Sequence, residues 1–522
     1  MKDLKNILLI SAAVLVLLLP FINKPFHIDD PFYLKMAQQI IQDPARPYSF
    51  AINWSGHLRD AWTDMEATFP PLIPYYMALI IKLFGLKEWV LHLFFLPFAL
   101  AAAIGMYFVS KKFVKDPLIP ALFCAVSPVF LVSATGLMLD VPMLAFSLAS
   151  LAFFLHGVDE DRPLLVAVSM LLCSAAILTK YTALVLIPLF ASCLYFQRKV
   201  RFVWFLGIPA LVLAGWCLHN YLVYGDVHLL LAWQRVGKTI SVHKVMSLAT
   251  FISGCFIFPV FSFLAFRKKR ESFVAAFIFL ALFILGYRIF ETPVQAVMFS
   301  VLGSTTLLFL YKVVVLSRKA DDKFLAVWFA LMFLASVSHE PWTSARYILL
   351  LLPPSAILFV QLVEIYCGDR KRTLIPLSLG LTALFGVMLT TADYLWAQSY
   401  PRIASVIKER GYGQGYFIGH YGFQYYLESI GMKAFEVDEP QQEPGYVVIS
   451  LVSDPQKPED ELFNKMKYIG HQSAASSFPV RLMSPWERAG FYSSFWGVFP
   501  FTCTGGPLDE FIIYHKDKTE GL

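Results

Sequence analysis

The stretch VLVLLLPFINKPFHIDDPFYLKM, residues 14–36, carries the chain from a run of hydrocarbon side chains directly to two adjacent carboxylates, Asp29 and Asp30. The apolar run occupies residues 6–23 and follows the cationic start MKDLK. A cleaved signal peptide is the alternative, but no A-x-A-like cleavage site precedes the acidic pair, so we expect a membrane anchor. Because charge is costly to remove from water, acids at a membrane boundary usually face water, a partner or a reaction. The acidic pair therefore marks a candidate functional site.

The composition is typical of a membrane protein. Of the 522 residues, 57% are hydrophobic and only 15% are charged, whereas a soluble domain is about half apolar and a quarter charged. The seven cysteines suggest neither a disulfide framework nor a zinc site, because most lie in apolar runs and no C-x-x-C occurs. We predict a polytopic α-helical membrane protein whose partner is the lipid bilayer, with no nucleic-acid partner.

Thirteen apolar segments are candidates for transmembrane helices, because a helix needs about 20 apolar residues to cross the hydrocarbon core. They lie near residues 6–23, 89–109, 117–136, 141–157, 163–179, 182–197, 202–222, 246–266, 273–290, 293–316, 324–338, 347–366 and 373–395. Two tight junctions, at 138–141 and 179–182, leave the count open. Alternate loops carry the cationic clusters, such as Lys111 and Lys112, which predicts a cytoplasmic N-terminus and an extracytoplasmic C-terminus.

Two regions are predicted to lie outside the membrane. Residues 24–88 form a long first outer loop with a short apolar run at 71–84, too short to span. Residues 396–522 contain the strand-like runs YFIGH, KAFEV, YVVIS and FIIYH, with helical patterns at 421–430 and 459–468. We therefore divide the chain into a membrane domain, residues 1–395, and a small soluble α/β domain, residues 396–522.

The acidic pair stands at the start of a predicted helix. Asp30 before Pro31 fits an N-cap followed by proline in the first turn. Phe32, Met36 and Ile40 then share one face, which predicts an amphipathic helix on the outer membrane surface. Capping would leave Asp29 free to act elsewhere. The alternative is that both acids are merely solvated.

Further polar residues occur at the same predicted outer face. Asp140 lies in GLMLDVPMLAF (136–146), Lys180 in ILTKYTALVLIP (177–188), and Arg346 in SHEPWTSARYILLLLPPSAI (338–357). The planar fork of arginine suits phosphate, and a lysine facing outer acids suits a clamp on an anion. The alternatives are helix capping for Asp140, snorkelling for Lys180 and an interfacial anchor for Tyr347. We see no comparable polar group mid-helix, where a transporter keeps its site.

Together these stretches resemble the GT-C glycosyltransferases, specifically the dolichyl-phosphate-mannose–protein mannosyltransferase family and its bacterial aminoarabinose-transferase relatives. The matching elements are the acidic pair, the Pro-Pro-Leu run, the Leu-Asp-x-Pro turn, the Thr-Lys turn and the Arg-Tyr…Leu-Pro-Pro segment. They span roughly residues 1–400 in the order of the family.

The resemblance implies a GT-C fold with about thirteen transmembrane helices and an enzyme of the cytoplasmic membrane whose active site and C-terminal domain are extracytoplasmic. It implies transfer of one sugar from a polyprenyl-phosphate-linked donor to a hydroxyl of a glycan, lipid or protein acceptor. The implied catalytic residues are Asp29 and Asp140, and the implied donor phosphate-binding residues are Lys180, Arg346 and Tyr347. His27, Asp30, His339 and Glu340 are candidates for an acceptor or metal site, and a divalent metal ion stays open as a cofactor.

Two positions depart from the family pattern. Many relatives have His or Asn before Pro-Pro-Leu, where this chain has Phe69, which puts a metal contact there in doubt. Many have Arg-Asn-Tyr at the outer end of the seventh helix, where this chain has His219-Asn220-Tyr221, which puts a donor contact there in doubt.

The expected chemistry needs a base and a cationic clamp. A hydroxyl is a poor nucleophile, so a carboxylate must take its proton, whereas a leaving phosphate needs positive charge. This combination predicts a single displacement with inversion at the anomeric carbon. A transporter or flippase of a lipid-linked sugar is the alternative, and a non-catalytic receptor whose C-terminal region binds glycan is a third.

Overall fold

The computed structural model describes residues 2–63, 68–235, 241–265, 269–316, 319–338, 342–437, 443–456 and 466–516. The helices of the first half are α1 (Lys2–Leu18), α2 (Asp30–Gln42), α3 (Leu72–Phe84), α4 (Glu88–Ser110), α5 (Leu118–Val126), α6 (Pro128–Ala134), α7 (Asp140–Asp159), α8 (Pro163–Thr179) and α9 (Leu186–Phe196). Those of the second half are α10 (Gly207–Tyr224), α11 (His228–Arg235), α12 (Val242–Phe256), α13 (Lys269–Ile289), α14 (Pro293–Leu316), α15 (Ala320–Ser338), α16 (Leu352–Tyr366), α17 (Lys371–Glu409) and α18 (Tyr421–Ser429). Short 3-10 helices extend several of them, at Leu19–Phe21, Tyr181–Val185, Val200–Leu206, Phe258–Ala265, Ala345–Leu351 and Gly368–Arg370.

Within the described residues, eight helical segments are long and apolar enough to cross a membrane, so the chain is a multi-span membrane protein. All thirteen predicted segments coincide with helical structure, but the count of thirteen is not confirmed. The segment 117–136, for example, is divided into α5 and α6 at Ser127-Pro128, because proline cannot continue the hydrogen-bond ladder. Gly386 of α17 packs against this break, where a Cβ would lie only 2.4 Å from the carbonyl oxygen of Val126.

Ion pairs identify one end of the bundle. Lys111, after α4, contacts Asp3 of α1 at 2.9 Å, and Lys112 contacts Asp159 at the end of α7 at 2.6 Å. The start of α7, at Asp140, therefore lies at the other end of the bundle. A helix of 20 residues spans about 30 Å, so these two ends are a membrane thickness apart.

Helix α2 does not lie on the surface as predicted. Eight of its thirteen residues are buried, because it packs between α3 and α18. Lys35 on its polar face forms an ion pair with Glu428 of α18 at 3.0 Å. The amphipathic pattern is real, but protein rather than lipid covers its apolar side.

Most β-strands, including all of the predicted ones, lie in the C-terminal region, whereas β1 and β2 lie between α2 and α3. The β-strands are β1 (Ala51–Asn53), β2 (Leu58–Asp60), β3 (Gly415–Ile418), β4 (Lys433–Ala434), β5 (Gly445–Ser450), β6 (Met466–Ser473), β7 (Val480–Arg481), β8 (Met483–Ser484), β9 (Ala489–Gly490), β10 (Thr502–Cys503) and β11 (Glu510–Lys516). Five of them form a mixed sheet in the order β4-β3-β5-β11-β6, with β3 parallel to both neighbours and β11 antiparallel to both of its own. All four predicted runs lie at these strands, and α18 confirms the helix at 421–430. The helix predicted at 459–468 is wrong at residues 466–468, which belong to β6; the rest of that range is outside the described residues.

The membrane bundle and the C-terminal region are continuous. Helix α17 runs through the predicted division at residues 395 and 396 and ends at Glu409. The loop after β9 also returns to the bundle, where the backbone N–H of Ala345 donates to Phe491 O at 2.7 Å and that of Ser494 to Thr343 O at 2.8 Å. The division into two domains stays a prediction, but its second part helps to build the site.

Candidate active site

A strained loop between α1 and α2 presents Asp29. The residue before it, Ile28, is buried and has φ of +46°, a left-handed conformation that is unfavourable for a β-branched side chain. Such strain costs about 1–3 kcal/mol and persists only where the surroundings enforce it, often at functional sites. The loop is therefore held in place by its contacts rather than by its own preference.

Asp30 supplies two of these contacts, and the capping role predicted for it is wrong. Helix α2 begins at Asp30, so Asp29 occupies the N-cap position, and its side chain makes no capping hydrogen bond. The buried Asp30 carboxylate accepts the backbone N–H of His27 at 2.9 Å and that of Leu137 at 3.0 Å. It thus fastens the loop to the turn before α7. Burial raises the pKa of Asp30 to about 7.

The side chains of Asp29, Lys180, Arg346 and Tyr347 line one cavity. Aromatic and small side chains complete its wall, namely Phe32, Tyr33, Trp54, Thr68, Phe69, Leu139 and Trp342. The structure therefore brings together four of the five residues predicted for catalysis and donor binding, from parts of the chain more than 300 positions apart. The fifth, Asp140, contacts the cavity residue Lys180.

Two ion pairs hold the charges of this cavity. Arg346 Nη1 lies 2.5 Å from Asp29 Oδ2, and Lys180 Nζ lies 2.8 Å from Asp140 Oδ1. The Tyr347 ring lies close to both cations, with its centroid 4.8 Å from Lys180 Nζ and 5.4 Å from Arg346 Cζ. A cation over the face of an aromatic ring is attracted by the ring.

Two polar atoms of this cluster have no hydrogen-bond partner among the described residues. They are Asp140 Oδ2 and Arg346 Nε, and both are buried. Buried polar groups are nearly always paired, so an unpaired one in a folded protein calls for an explanation. A ligand that carries both acceptor and donor groups would satisfy both atoms.

Of the four residues predicted for an acceptor or metal site, the two that the structure describes, His27 and Asp30, do not line this cavity. Both side chains are buried, and their role at an acceptor or metal site stays a prediction. His339 and Glu340 lie outside the described residues. In the part of the chain that the structure describes, no group of three or more His, Cys, Asp or Glu residues could hold a metal ion.

A buried network beneath the loop was missed by the sequence analysis. The Asp393 carboxylate contacts the Lys24 ammonium, accepts the Tyr492 hydroxyl at 2.9 Å and lies 3.2 Å from His27 Nε2. Lys24 also reaches Thr135 Oγ1 at 3.4 Å. The network joins the loop to α6, α17 and the C-terminal region. Asp393 lies inside the last predicted transmembrane segment, and an acid in such a segment indicates a buried partner or a functional site.

Of the two positions that depart from the family pattern, Phe69 lines the cavity and His219 does not. Phe69 lines the cavity, and its ring packs edge-on against Tyr33 with a centroid distance of 4.9 Å. It therefore supplies an apolar wall where many relatives have a polar side chain. His219 stacks on Trp216 at 5.4 Å and does not line the cavity.

Residues 68–219 match the family model for dolichyl-phosphate-mannose-protein mannosyltransferase. The matched segment contains Asp140 and Lys180, whereas Asp29 and Arg346 lie outside it. The match confirms the predicted resemblance to glycosyltransferases of this type over this part of the chain. A comparison with curated protein sequences gives no match.

Several solved structures are similar to the chain at low sequence identity. ArnT from Cupriavidus metallidurans, bound to undecaprenyl phosphate, is 17% identical with a TM-score of 0.44, over 85% of this chain and 93% of that one. The Pmt1–Pmt2 protein O-mannosyltransferase complex of S. cerevisiae, bound to its sugar donor, is 15% identical with a TM-score of 0.32, over 44% of this chain and 34% of that one. Arabinosyltransferase EmbB from Mycobacterium smegmatis is 13% identical with a TM-score of 0.34, over 92% and 48% respectively.

Proposed function

We propose that the protein is an inverting glycosyltransferase that moves a sugar from a polyprenyl-phosphate donor to an acceptor hydroxyl of a glycan, lipid or protein. The observation that carries this proposal is the meeting of Asp29, Lys180 and Arg346 at one cavity, with Asp140 behind Lys180. A base and two cations in one place are what such a reaction requires.

Lys180 and Arg346 bind the donor phosphate in this proposal. A polyprenyl phosphodiester keeps one negative charge, which is costly to leave unpaired near the membrane. Arg346 has an unpartnered Nε among the described residues, and the guanidinium fork can engage two phosphate oxygens. When the glycosidic bond breaks, the phosphate gains a second charge, which Lys180 and Arg346 stabilise without a general acid.

The prenyl chain has an apolar place beside this cavity. A second cavity of about 420 Å³ is lined largely by apolar side chains, among them Leu184, Val185, Leu229 and Trp233. Thr68 lines both cavities, so the two are adjacent. A lipid phosphate held by Arg346 and Lys180 would leave its hydrocarbon chain in surroundings that match it.

Asp29 acts as the general base. In the structure its carboxylate is paired with Arg346, and donor phosphate would take over that guanidinium on binding. The carboxylate then accepts the proton of the acceptor hydroxyl as the hydroxyl oxygen attacks the anomeric carbon. The phosphate leaves from the opposite side, which inverts the configuration. Asp140 keeps Lys180 in place.

We place the cavity at the extracytoplasmic face of the cytoplasmic membrane. The cationic loops around Lys111 and Lys112 lie at the end of the bundle opposite to Asp140. Positively charged loops remain in the cytoplasm, so the start of α7 and the cavity beside it face outward. The donor sugar would therefore be transferred outside the cell membrane.

Transfer from a purified polyprenyl-phosphate-linked sugar tests the proposal in nanodiscs. Arg346→Lys keeps the charge but removes the fork, and Lys180→Met removes the charge, so both should raise the donor KM and lower the rate. Lys112→Met is the matched control at the other end of the bundle, and melting temperatures identify any variant that fails to fold. Unchanged donor use in folded Arg346→Lys and Lys180→Met would overturn the proposal, as would movement of the donor across the bilayer of sealed proteoliposomes without transfer. The same assay with EDTA tests the divalent ion, which is required if transfer stops and Mg²⁺ restores it.

A further inference from the structure

A separate cavity lies on the face of the sheet that α18 does not cover. Phe511 of β11 stacks on Phe423 of α18, with 5.5 Å between the ring centroids, so the side chain of Phe511 points to the face of the sheet that α18 covers. Side chains alternate along a strand, so Glu510 and Ile512 point to the other face. There they line a cavity of about 520 Å³, which shares no lining residue with the cavity of Asp29.

A β-bulge in β6 shapes one wall of this cavity. The register between β6 and β11 shifts at Ile513 and Tyr514, so that Ile469 has no partner in the ladder. The extra residue turns Tyr468 and His471 toward the same face, and Tyr468 Oη lies 3.1 Å from His471 Nδ1. Both side chains line the cavity.

The turn of the β8–β9 hairpin forms the opposite wall. It carries Trp486, which is 48% exposed, and Tyr468 across the cavity is 54% exposed. Single exposed aromatic residues are common, but two at one concave site with polar neighbours are typical of a binding site. Two ring faces are thus available for an apolar ligand surface.

The two carboxylates of the cavity have unused capacity to accept hydrogen bonds. Among the described residues, the carboxylates of Glu487 and Glu510 accept no hydrogen bond and join no ion pair. Neither lysine nor arginine belongs to the described lining. An ionised carboxylate can only accept hydrogen bonds, so the cavity favours a ligand rich in donors and disfavours an anion.

We propose that this cavity binds a neutral or amino-bearing sugar unit of a glycan. A pyranose ring has a face of C–H groups that packs on an aromatic ring, and an edge of hydroxyl groups that donate to carboxylates. Trp486 and Tyr468 supply the first kind of contact, and Glu487 and Glu510 supply the second. A glycan phosphate or a sialic acid would meet two uncompensated negative charges.

The cavity is connected to the candidate active site through the chain itself. The β8–β9 hairpin that carries Trp486 and Glu487 continues into Phe491 and Ser494, whose backbones bond to Ala345 and Thr343 just before Arg346. A bound glycan would therefore lie on the same hairpin that supports the transfer cavity. If the proposed function is right, the glycan is the acceptor or an extension of it.

Binding of oligosaccharides to the full chain tests the inference. The chain is held in nanodiscs because the sugar headgroups of maltoside detergents would compete for the cavity. The probes are chitotetraose, cellotetraose, a chitosan tetramer and, as the anionic probe, a sialylated lactose, with affinity measured by saturation-transfer NMR titration. We expect binding to at least one neutral or amino-sugar probe, and a loss of about tenfold or more in Trp486→Ala and in Glu487→Gln. Phe495→Ala is the matched control, because Phe495 is exposed and outside the lining.

Several results would overturn the inference: no binding of any neutral or amino-sugar probe, binding of the sialylated probe alone, or wild-type affinity in both variants. Trp486→Ala alone risks a local change of fold, so Glu487→Gln, which keeps shape and removes charge, decides when the two disagree. The variant Asp29→Asn should bind these probes as the wild type does. This separates glycan binding from the proposed transfer reaction, which that variant should lose.

Discussion

Removing one partner of the buried Lys24–Asp393 ion pair should strongly destabilise the loop that carries Asp29. The side chains of Lys24 and Asp393 are almost completely buried. Breaking a buried pair by removing one partner costs about 3–5 kcal/mol, because the other charge stays buried without compensation. In Lys24→Met, Asp393 would still accept from Tyr492 and lie beside His27, so we expect a cost near 3 kcal/mol.

The double variant distinguishes a true interaction from simple loss of packing. Lys24→Met with Asp393→Asn removes both charges, while Asn can still accept from Tyr492. We expect the double variant to be less destabilised than the sum of the two single variants by about 2 kcal/mol or more, because contacting residues do not behave additively. The control is Lys35→Met, since the Lys35–Glu428 pair is about one-third exposed on both sides and such pairs contribute only about 0–1 kcal/mol.

Equilibrium unfolding in mixed micelles of SDS and a mild detergent measures these free energies for the wild type and the four variants. Circular dichroism follows the loss of helix, and the free energy of unfolding is extrapolated to zero SDS. The reasoning is refuted if the two single costs add within about 0.5 kcal/mol in the double variant, or if Lys24→Met costs no more than Lys35→Met.

Three further outcomes follow from other contacts of the same region. Asp30→Asn should cost about 1–3 kcal/mol, because the amide would turn an N–H group toward a backbone N–H of His27 or Leu137; a melting temperature equal to that of the wild type would contradict this. Gly422→Ala should destabilise the fold by a similar amount and reduce transfer, because the new Cβ would lie 2.1 Å from Phe26 O in the loop. The control is Gly380→Ala, which should be as stable as the wild type because its new Cβ would meet open space. Burial lowers the pKa of His420 to about 4, so the neutral form stabilises the fold above the unfolded pKa near 6.5, and this stability is lost as pH falls from 6.5 to 4. His420→Phe keeps a ring beside Trp54 and should gain about 3 kcal/mol relative to the wild type between pH 7.5 and pH 4; parallel stability curves would refute that assignment.

The sequence was informative where one physical rule dominated the outcome. Apolar length alone located the helical segments, and the alternation of side chains located β3, β5 and β11. Charged residues that interrupt apolar runs, such as Asp140 and Lys180, were identifiable because an ion near a membrane needs a reason to be there. The structure then placed Lys180 in the wall of the cavity and Asp140 in an ion pair with it.

Features that depend on tertiary packing were not accessible in this way. A local rule predicted that Asp30 caps the N-terminus of α2. In the structure its carboxylate instead accepts the backbone N–H of Leu137, a partner from a distant part of the chain. The apolar face of α2 indicated burial without saying whether lipid or α18 covers it. Asp393 stands out as an acid inside an apolar segment, but its partner Lys24 is 369 positions away, and the sequence contains no local signal for that pairing.

The central claim is that Asp29 takes the proton of the acceptor while Arg346 and Lys180 hold the donor phosphate. Single-turnover transfer by Asp29→Asn, with donor binding measured on the same preparation in nanodiscs, tests it most directly. The account predicts that donor binding is at least as tight as in the wild type, because Arg346 loses its competing partner, while transfer falls by about 10²–10⁴-fold. Transfer within about twofold of the wild-type rate in a folded Asp29→Asn protein would contradict the assignment of Asp29 as the base. Loss of donor binding in the same variant would contradict the separation of the base from the phosphate-binding residues.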